Sequence, residues 1–160
     1  AVRLTVPPLI RHLVGRAPRR VMEINYARLS ARYVLAAALQ SGHLSLTDFT
    51  PAAYERDDVQ ALANRISLSV QDDGDPNALV PIGIEIDLVD GRMLSRRVRH
   101  VYGSPQNPMS RAAQIAKVRA CCADPVQSLS EDRTDALIAI VDALETVEDV
   151  AALVDLTVPV

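Results

Sequence analysis

The sequence has no tryptophan, and aromatic residues make up only 3% of its 160 positions. A core without aromatic anchors must be built from Ala, Val, Leu and Ile. Such side chains bury less area each, at roughly 25 cal/mol per Å² of apolar surface. Modest stability, or a partner surface that completes the fold, is the expectation. Cysteine is scarce: there are two, adjacent at Cys121 and Cys122. Neighbouring cysteines close a strained ring, and no other cysteine offers a second pair or a zinc-ligand set. They read as a helical position with one thiol buried, in a reducing, cytoplasmic compartment. No apolar run approaches the roughly 20 residues of a membrane span, so no membrane partner is expected. A basic surplus is also missing. The 17 basic and 20 acidic residues leave a formal net charge of −3, which argues against a general nucleic-acid binder.

The N-terminus does not read as a signal peptide. Its arginines are scattered from Arg3 to Arg20, and Pro7-Pro8 interrupts the apolar stretch. The chain opens at Ala1 directly into the alternation Val2, Leu4, Val6. A start inside a strand pattern reads as a fragment or a processed product.

What is present is periodic. Residues 2–7 alternate as a half-buried strand. Residues 8–26, with Pro8, Gly15 and Pro18, read as a linker-like connection with one short helical turn at most. Residues 28–40 read as a buried helix, apolar nearly all round from Tyr33 to Leu39, with Gly42 at its C-terminal cap. Thr50-Pro51 is a helix start, with helix over 51–64. Ile66 to Val70 alternates as a strand, and Gln71 to Asn77 reads as a polar loop holding Gly74 and Pro76. Residues 82–99 read as a β-hairpin around Asp90-Gly91, with a two-residue turn and a three-residue turn both open. The last third reads as helical. Ser110 and Ser130 stand as N-caps, Leu137, Ile140, Val141 and Leu144 as a buried face, and Thr146 with Asp149 as a capping box. Segregated strands and helical excursions predict one α+β domain over 1–160, an antiparallel sheet with flanking helices.

Three segments in order carry a resemblance. The first runs from Ala27 through Arg28, Ser30 and Tyr33 to Leu39 and Gly42, continuing at Leu46-Thr47-Asp48-Phe49. The second is Asp90 to Val98 followed by Gly103-Ser104-Pro105-Gln106-Asn107-Pro108 and a helix holding Lys117. The third is Leu144 to Val150. Together they resemble the C-terminal portion of the MmgE/PrpD family. Departures from the pattern are Leu29, Arg32, Tyr102 and Val118.

The family's activities are 2-methylcitrate dehydration (a step of propionate catabolism), cis-aconitate decarboxylation and iminodisuccinate epimerisation. The resemblance implies the small α+β domain of a two-domain enzyme, with an N-terminal helical domain absent from this chain. It also implies a small polycarboxylate substrate, no cofactor and no metal, and a homodimer. Most catalytic groups of the family lie on the helical part, so the chain alone is expected to be inactive.

Within that frame Tyr33 is the candidate catalytic residue. A tyrosine donates a hydrogen bond to a carboxylate or passes a proton, and the resemblance has Tyr33 facing the interdomain cleft. Arg28 and Ser30 are the candidate substrate-binding residues, because a guanidinium holds a carboxylate through two parallel bonds and a helix start favours anions. Arg92, Arg96, Arg97, Arg99 and His100 read chiefly as a solvated hairpin face, partly paired with Glu85 and Asp87. Lys117 reads as a surface residue, and His12, His43 and His100 lack metal-ligand spacing. The alternative to an enzyme part is a noncatalytic interaction or dimerisation module of the same fold, with helix 33–39 as its contact face.

Overall fold

In the computed structural model of the chain, which describes residues 1–71, 75–124 and 128–158, the opening alternation becomes strand β1, Val2–Val6. Val2, Leu4 and Val6 are buried, and Arg3 and Thr5 lie on the opposite face. β1 pairs parallel with β2, Ile66–Val70, and antiparallel with β3, Ile82–Asp87, which in turn pairs antiparallel with β4, Met93–Val98. The sheet order is β2-β1-β3-β4. The α+β expectation holds, with one refinement: the sheet is mixed, because β1 and β2 run parallel. The cause is the helical segment between them. Parallel neighbours need a long crossover, and residues 7–65 supply one.

That crossover contains helices α1 (Pro8–Val14), α2 (Ile24–Arg28) and α3 (Ala31–Ser41), a 3₁₀ turn at Leu46–Phe49, then α4 (Pro51–Tyr54) and α5 (Asp57–Asn64). Two expectations change. The linker-like stretch holds a full helix, α1, begun by Pro8 at its first turn. It buries no residue completely, although Ile10 packs partly against the core, and Pro8 and Gly15 at its two ends masked a helix only seven residues long. The helix expected over 28–40 is split at Leu29–Ser30. Ser30 takes an extended conformation (φ −107°, ψ 92°) and forms an isolated antiparallel bridge with Gly15. A position that bridges backward cannot continue the helix.

Tyr33, Ala36 and Ala37 of α3 and Val59 and Ala63 of α5 are buried with Val2, Leu4, Val6 and Ile66 of the sheet. α3 packs on α5 and on β2, where its alanines allow close approach. The face that the interaction-module alternative would have presented is thus used internally. Gly42 caps α3 as expected, donating its N–H to the Ala38 carbonyl.

The hairpin takes the three-residue form. The Leu88 N–H reaches the Arg92 carbonyl at 2.8 Å, and the Gly91 N–H reaches the Leu88 carbonyl at 3.2 Å. Gly91 sits at φ +85°, the left-handed position such a loop requires. Glu85 and Asp87 do not pair across to the hairpin arginines. Both bind Arg3 of β1, Nε to Glu85 at 3.0 Å and Nη1 to Asp87 at 2.6 Å. Cross-strand register explains this: Glu85 faces Arg3 on β1, while its partners on β4 are Ser95 and, for Asp87, Met93. The loop expected over Gln71 to Asn77 lies partly outside the described residues, Gly74 included.

The chain divides into two compact units, Ala1–Asn107 and Pro108–Val160. The second contains α6 (Arg111–Cys122), α7 (Glu131–Asp142), a 3₁₀ turn at Leu144–Thr146 and α8 (Ala151–Thr157). Ser110 and Ser130 cap α6 and α7 as expected, accepting from the N–H groups of Ala113 and Arg133. The capping box of Thr146 and Asp149 does not form. Asp149 accepts from the Ala151 N–H, and Thr146 donates back to the Ala143 carbonyl inside its own turn. The expected buried face of α7 is only half-buried, and Val141 and Leu144 are about half exposed (49% and 48%). Cys121 is exposed and Cys122 intermediate, so neither thiol is fully buried. No helix among the described residues is long and apolar enough to cross a membrane.

Candidate functional site

The three candidate residues lie within six positions of each other, around the break between α2 and α3. Their settings differ. Tyr33 is 1% exposed, and its hydroxyl donates to the Asp48 carbonyl at 2.5 Å. Its ring meets Phe49 edge-on at 6.4 Å and Tyr54 edge-on at 5.6 Å. Such aromatic pairs contribute beyond their buried area, so this corner holds most of the chain's few rings. Burial first, then the charge of Asp48, pushes the Tyr33 hydroxyl up to about 12. It is therefore a neutral donor at physiological pH and not a base.

Arg28, the last residue of α2, is exposed. Its guanidinium lies 5.6 Å from the centroid of the Phe49 ring. Phe49 thus joins the two candidates, edge-on to Tyr33 and face-on beneath Arg28. Among the described residues Arg28 makes no ion pair, which leaves its fork free for a carboxylate. Ser30 is fully buried and points elsewhere, its hydroxyl donating to the Arg16 carbonyl at 3.0 Å. It does not accept from the start of α3. The structure brings Arg28 and Tyr33 together on Phe49 and assigns Ser30 to holding the loop before α2.

Two neighbours were not singled out from the sequence. Tyr54 is 2% exposed, and among the described residues its buried hydroxyl has no hydrogen-bond partner. Burial raises its pKa, and the nearby Arg28 charge opposes that rise. Asp48, 9% exposed, accepts from the Ser45 N–H at 2.8 Å and from the Ser45 hydroxyl at 3.0 Å. That fixes the 3₁₀ turn whose carbonyl receives Tyr33. The Ser45–Asp48 spacing was a readable signal for this turn. Nothing local marked Tyr54, because its partner ring is far away in sequence.

Comparison with known proteins decides the kinship of this corner. The sequence model of the MmgE/PrpD C-terminal domain matches residues 1–146. The chain belongs to the MmgE/PrpD family. Within it, the mouse (Mus musculus) cis-aconitate decarboxylase is 30% identical over 128 residues, 79% of this chain and 26% of the relative. The human (Homo sapiens) cis-aconitate decarboxylase is 30% identical over 131 residues, 81% of this chain and 27% of the relative. The chain thus spans about a quarter of the length of the curated relatives it matches. The MmgE/PrpD match covers the whole first unit and α6 and α7 of the second.

Proposed function

We propose that the chain forms one wall of the active site of a polycarboxylate lyase or isomerase, completed by the helical domain of the same protein and working as a homodimer. The observation that carries the reading is the meeting of Arg28 and Tyr33 on one ring, Phe49, inside a domain of this family. Arg28 holds a substrate carboxylate through its guanidinium fork, stiffened by the ring beneath it. Tyr33 exchanges its present acceptor, the Asp48 carbonyl, for a substrate oxygen and donates a proton or hydrogen bond there. Because that hydroxyl stays protonated well above neutral pH, the base that removes a proton alpha to a carboxylate comes from elsewhere in the protein. For dehydration the hydroxyl group then leaves as water, and for epimerisation the proton returns on the other face. Decarboxylation removes no proton, because carbon dioxide leaves first and the electron pair left on carbon takes a proton from the donor. A carboxylate clamp and a fixed donor suit all three outcomes.

The test is a lyase assay on 2-methylcitrate, citrate and cis-aconitate, run with this chain alone and with the complete gene product. Activity in the complete product only, reduced at least a hundredfold by Tyr33→Phe or Arg28→Gln, is the expected result. Activity of the isolated chain would overturn the split-site reading. Full activity in both variants would remove these two residues from it.

A further inference from the structure

The loop between α1 and α2 carries no role in that reading, yet it is one of the most deliberately held segments of the chain. Three carbonyls within four residues each receive a side-chain donor. Ser30 Oγ binds the Arg16 carbonyl at 3.0 Å, Tyr26 Oη the Ala17 carbonyl at 3.1 Å and Gln60 Nε2 the Arg19 carbonyl at 2.9 Å. Ser30 and Gln60 are 0% and 4% exposed. Burying polar side chains is costly unless they are bonded, and these two bond the loop. Its start is equally constrained. A Cβ on Gly15 would stand 2.3 Å from the Arg11 carbonyl oxygen, so only glycine fits there.

The pinning uses main-chain atoms and leaves the arginine side chains free. The guanidiniums of Arg16 and Arg19 lie 5.3 and 4.7 Å from the centroid of one ring, Tyr26. Both side chains are exposed, and neither makes an ion pair among the described residues. Arg20, by contrast, is paired with Asp57. Along the chain the balance is strongly basic: residues 11–32 hold six arginines and a single acid, Glu23, and the nearby Asp57 is engaged by Arg20. Two like charges held against one ring repel each other unless an anion sits between or beside them.

We infer that Arg16 and Arg19, set on Tyr26, form a binding site for a small oxyanion carrying at least two negative charges, of the carboxylate or phosphate class. Two free guanidiniums on one ring match a compact polyanion. An extended polyanion would need a longer stripe of charge. This site does not depend on the lyase reading, since none of its residues is assigned to that chemistry; Ser30 serves here only by tying the Arg16 carbonyl.

The experiment is a titration of the 160-residue chain with citrate, pyrophosphate and acetate at constant ionic strength, followed by calorimetry and by the Tyr26 ring resonances in NMR. Saturable binding of citrate or pyrophosphate is expected, at least tenfold tighter than acetate, with the Tyr26 signals shifting. Preference for citrate assigns a carboxylate ligand and preference for pyrophosphate a phosphate. The double variant Arg16→Gln/Arg19→Gln keeps every pinned carbonyl, so its melting temperature should be unchanged while affinity falls at least tenfold. Ser30→Ala keeps both arginines and releases one pin, and affinity should fall by a smaller factor. Equal affinity in the double variant, non-saturable shifts, or acetate binding as well as the polyanions would overturn the site.

Discussion

In the first unit, apolar side chains from β1, β2, α3 and α5 close on one another, and Val6, Tyr33, Val59 and Ile66 are 2% exposed or less. In the second, the one buried residue among the described residues is polar, Thr134. Its hydroxyl turns back to the Ser130 carbonyl at 3.0 Å. The helices of the second unit rely on serine caps and on ion pairs at the surface, Arg111 with Asp142 and Arg119 with Asp135. Apolar residues are plentiful in both. What differs is whether a sheet is present to gather them. A four-stranded sheet offers a continuous apolar face for several helices, whereas two or three short helices cover each other only in part.

The sharpest way to break this contrast is to remove matched isoleucines. Ile66→Ala, deep in the first unit, should cost about 2–5 kcal/mol through lost burial and a sealed cavity. Ile138→Ala, half-buried on α7, should cost under about 1.5 kcal/mol, because water already reaches the site. Urea denaturation with amide exchange read separately in β1 and α7 measures both. Equal costs would mean that the second unit has a core of its own kind.

Two tyrosines sharpen the contrast within the first unit. Tyr54→Phe deletes a buried hydroxyl with no partner among the described residues, so the variant should gain about 1–3 kcal/mol. Tyr33→Phe deletes the bond to the Asp48 carbonyl and should lose about 1 kcal/mol. Opposite signs from the same chemical change would show that hydrogen bonding, and not ring packing, separates the pair. pH gives an independent reading. Below pH 10 the Tyr33 hydroxyl is neutral folded and unfolded, so its contribution is complete and flat. Between pH 10 and about 12 the unfolded chain ionises first, and stability falls with each step upward. Tyr33→Phe should flatten that alkaline slope in denaturation curves recorded from pH 9 to 12.

These residues also show which parts of the fold were legible in the sequence. The alternation of β1 and the hairpin, the caps at Ser110 and Ser130 and the glycine after α3 are local signals, and each was readable. The parallel pairing of β1 with β2 depends on how far the chain travels between them, which no short window contains. The break at Ser30 depends on a bridge to Gly15 and a bond to Arg16. Both are tertiary contacts that override an otherwise helical pattern. The corner around Tyr33 was half legible. Motif order marked Arg28, Ser30 and Tyr33, but the joining ring Phe49, the unpartnered Tyr54 and the turn at Ser30 toward the arginine loop needed the folded chain.

Serine tests the same division more finely. Ser130→Ala should cost about 1 kcal/mol, felt within the first turns of α7, since its oxygen satisfies one otherwise unpaired N–H. Ser30→Ala instead frees a carbonyl fourteen residues away. Its effect should appear as faster exchange in the loop before α2, with little change inside α3. Amide exchange on the two variants distinguishes a cap from a long-range tie. Fraying of α3 in Ser30→Ala would place that residue back among the caps.

The smallest expected effect concerns the surface charges of the second unit. Arg111 and Asp142 pair with half their side-chain surface in water (50% and 52% exposed). Exposed pairs of this kind contribute no more than about 1 kcal/mol, and salt screens them. Asp142→Asn should therefore weaken the second unit slightly at low salt and not at all in about 1 M salt. Ile66→Ala should cost the same at both, because its loss is apolar. If Asp142→Asn proved as costly as Ile66→Ala and stayed so in high salt, the pair would have to be shielded from water. The second unit would then have a covered surface, and the contrast with the first would lie in what covers each unit instead of in the presence of a sheet.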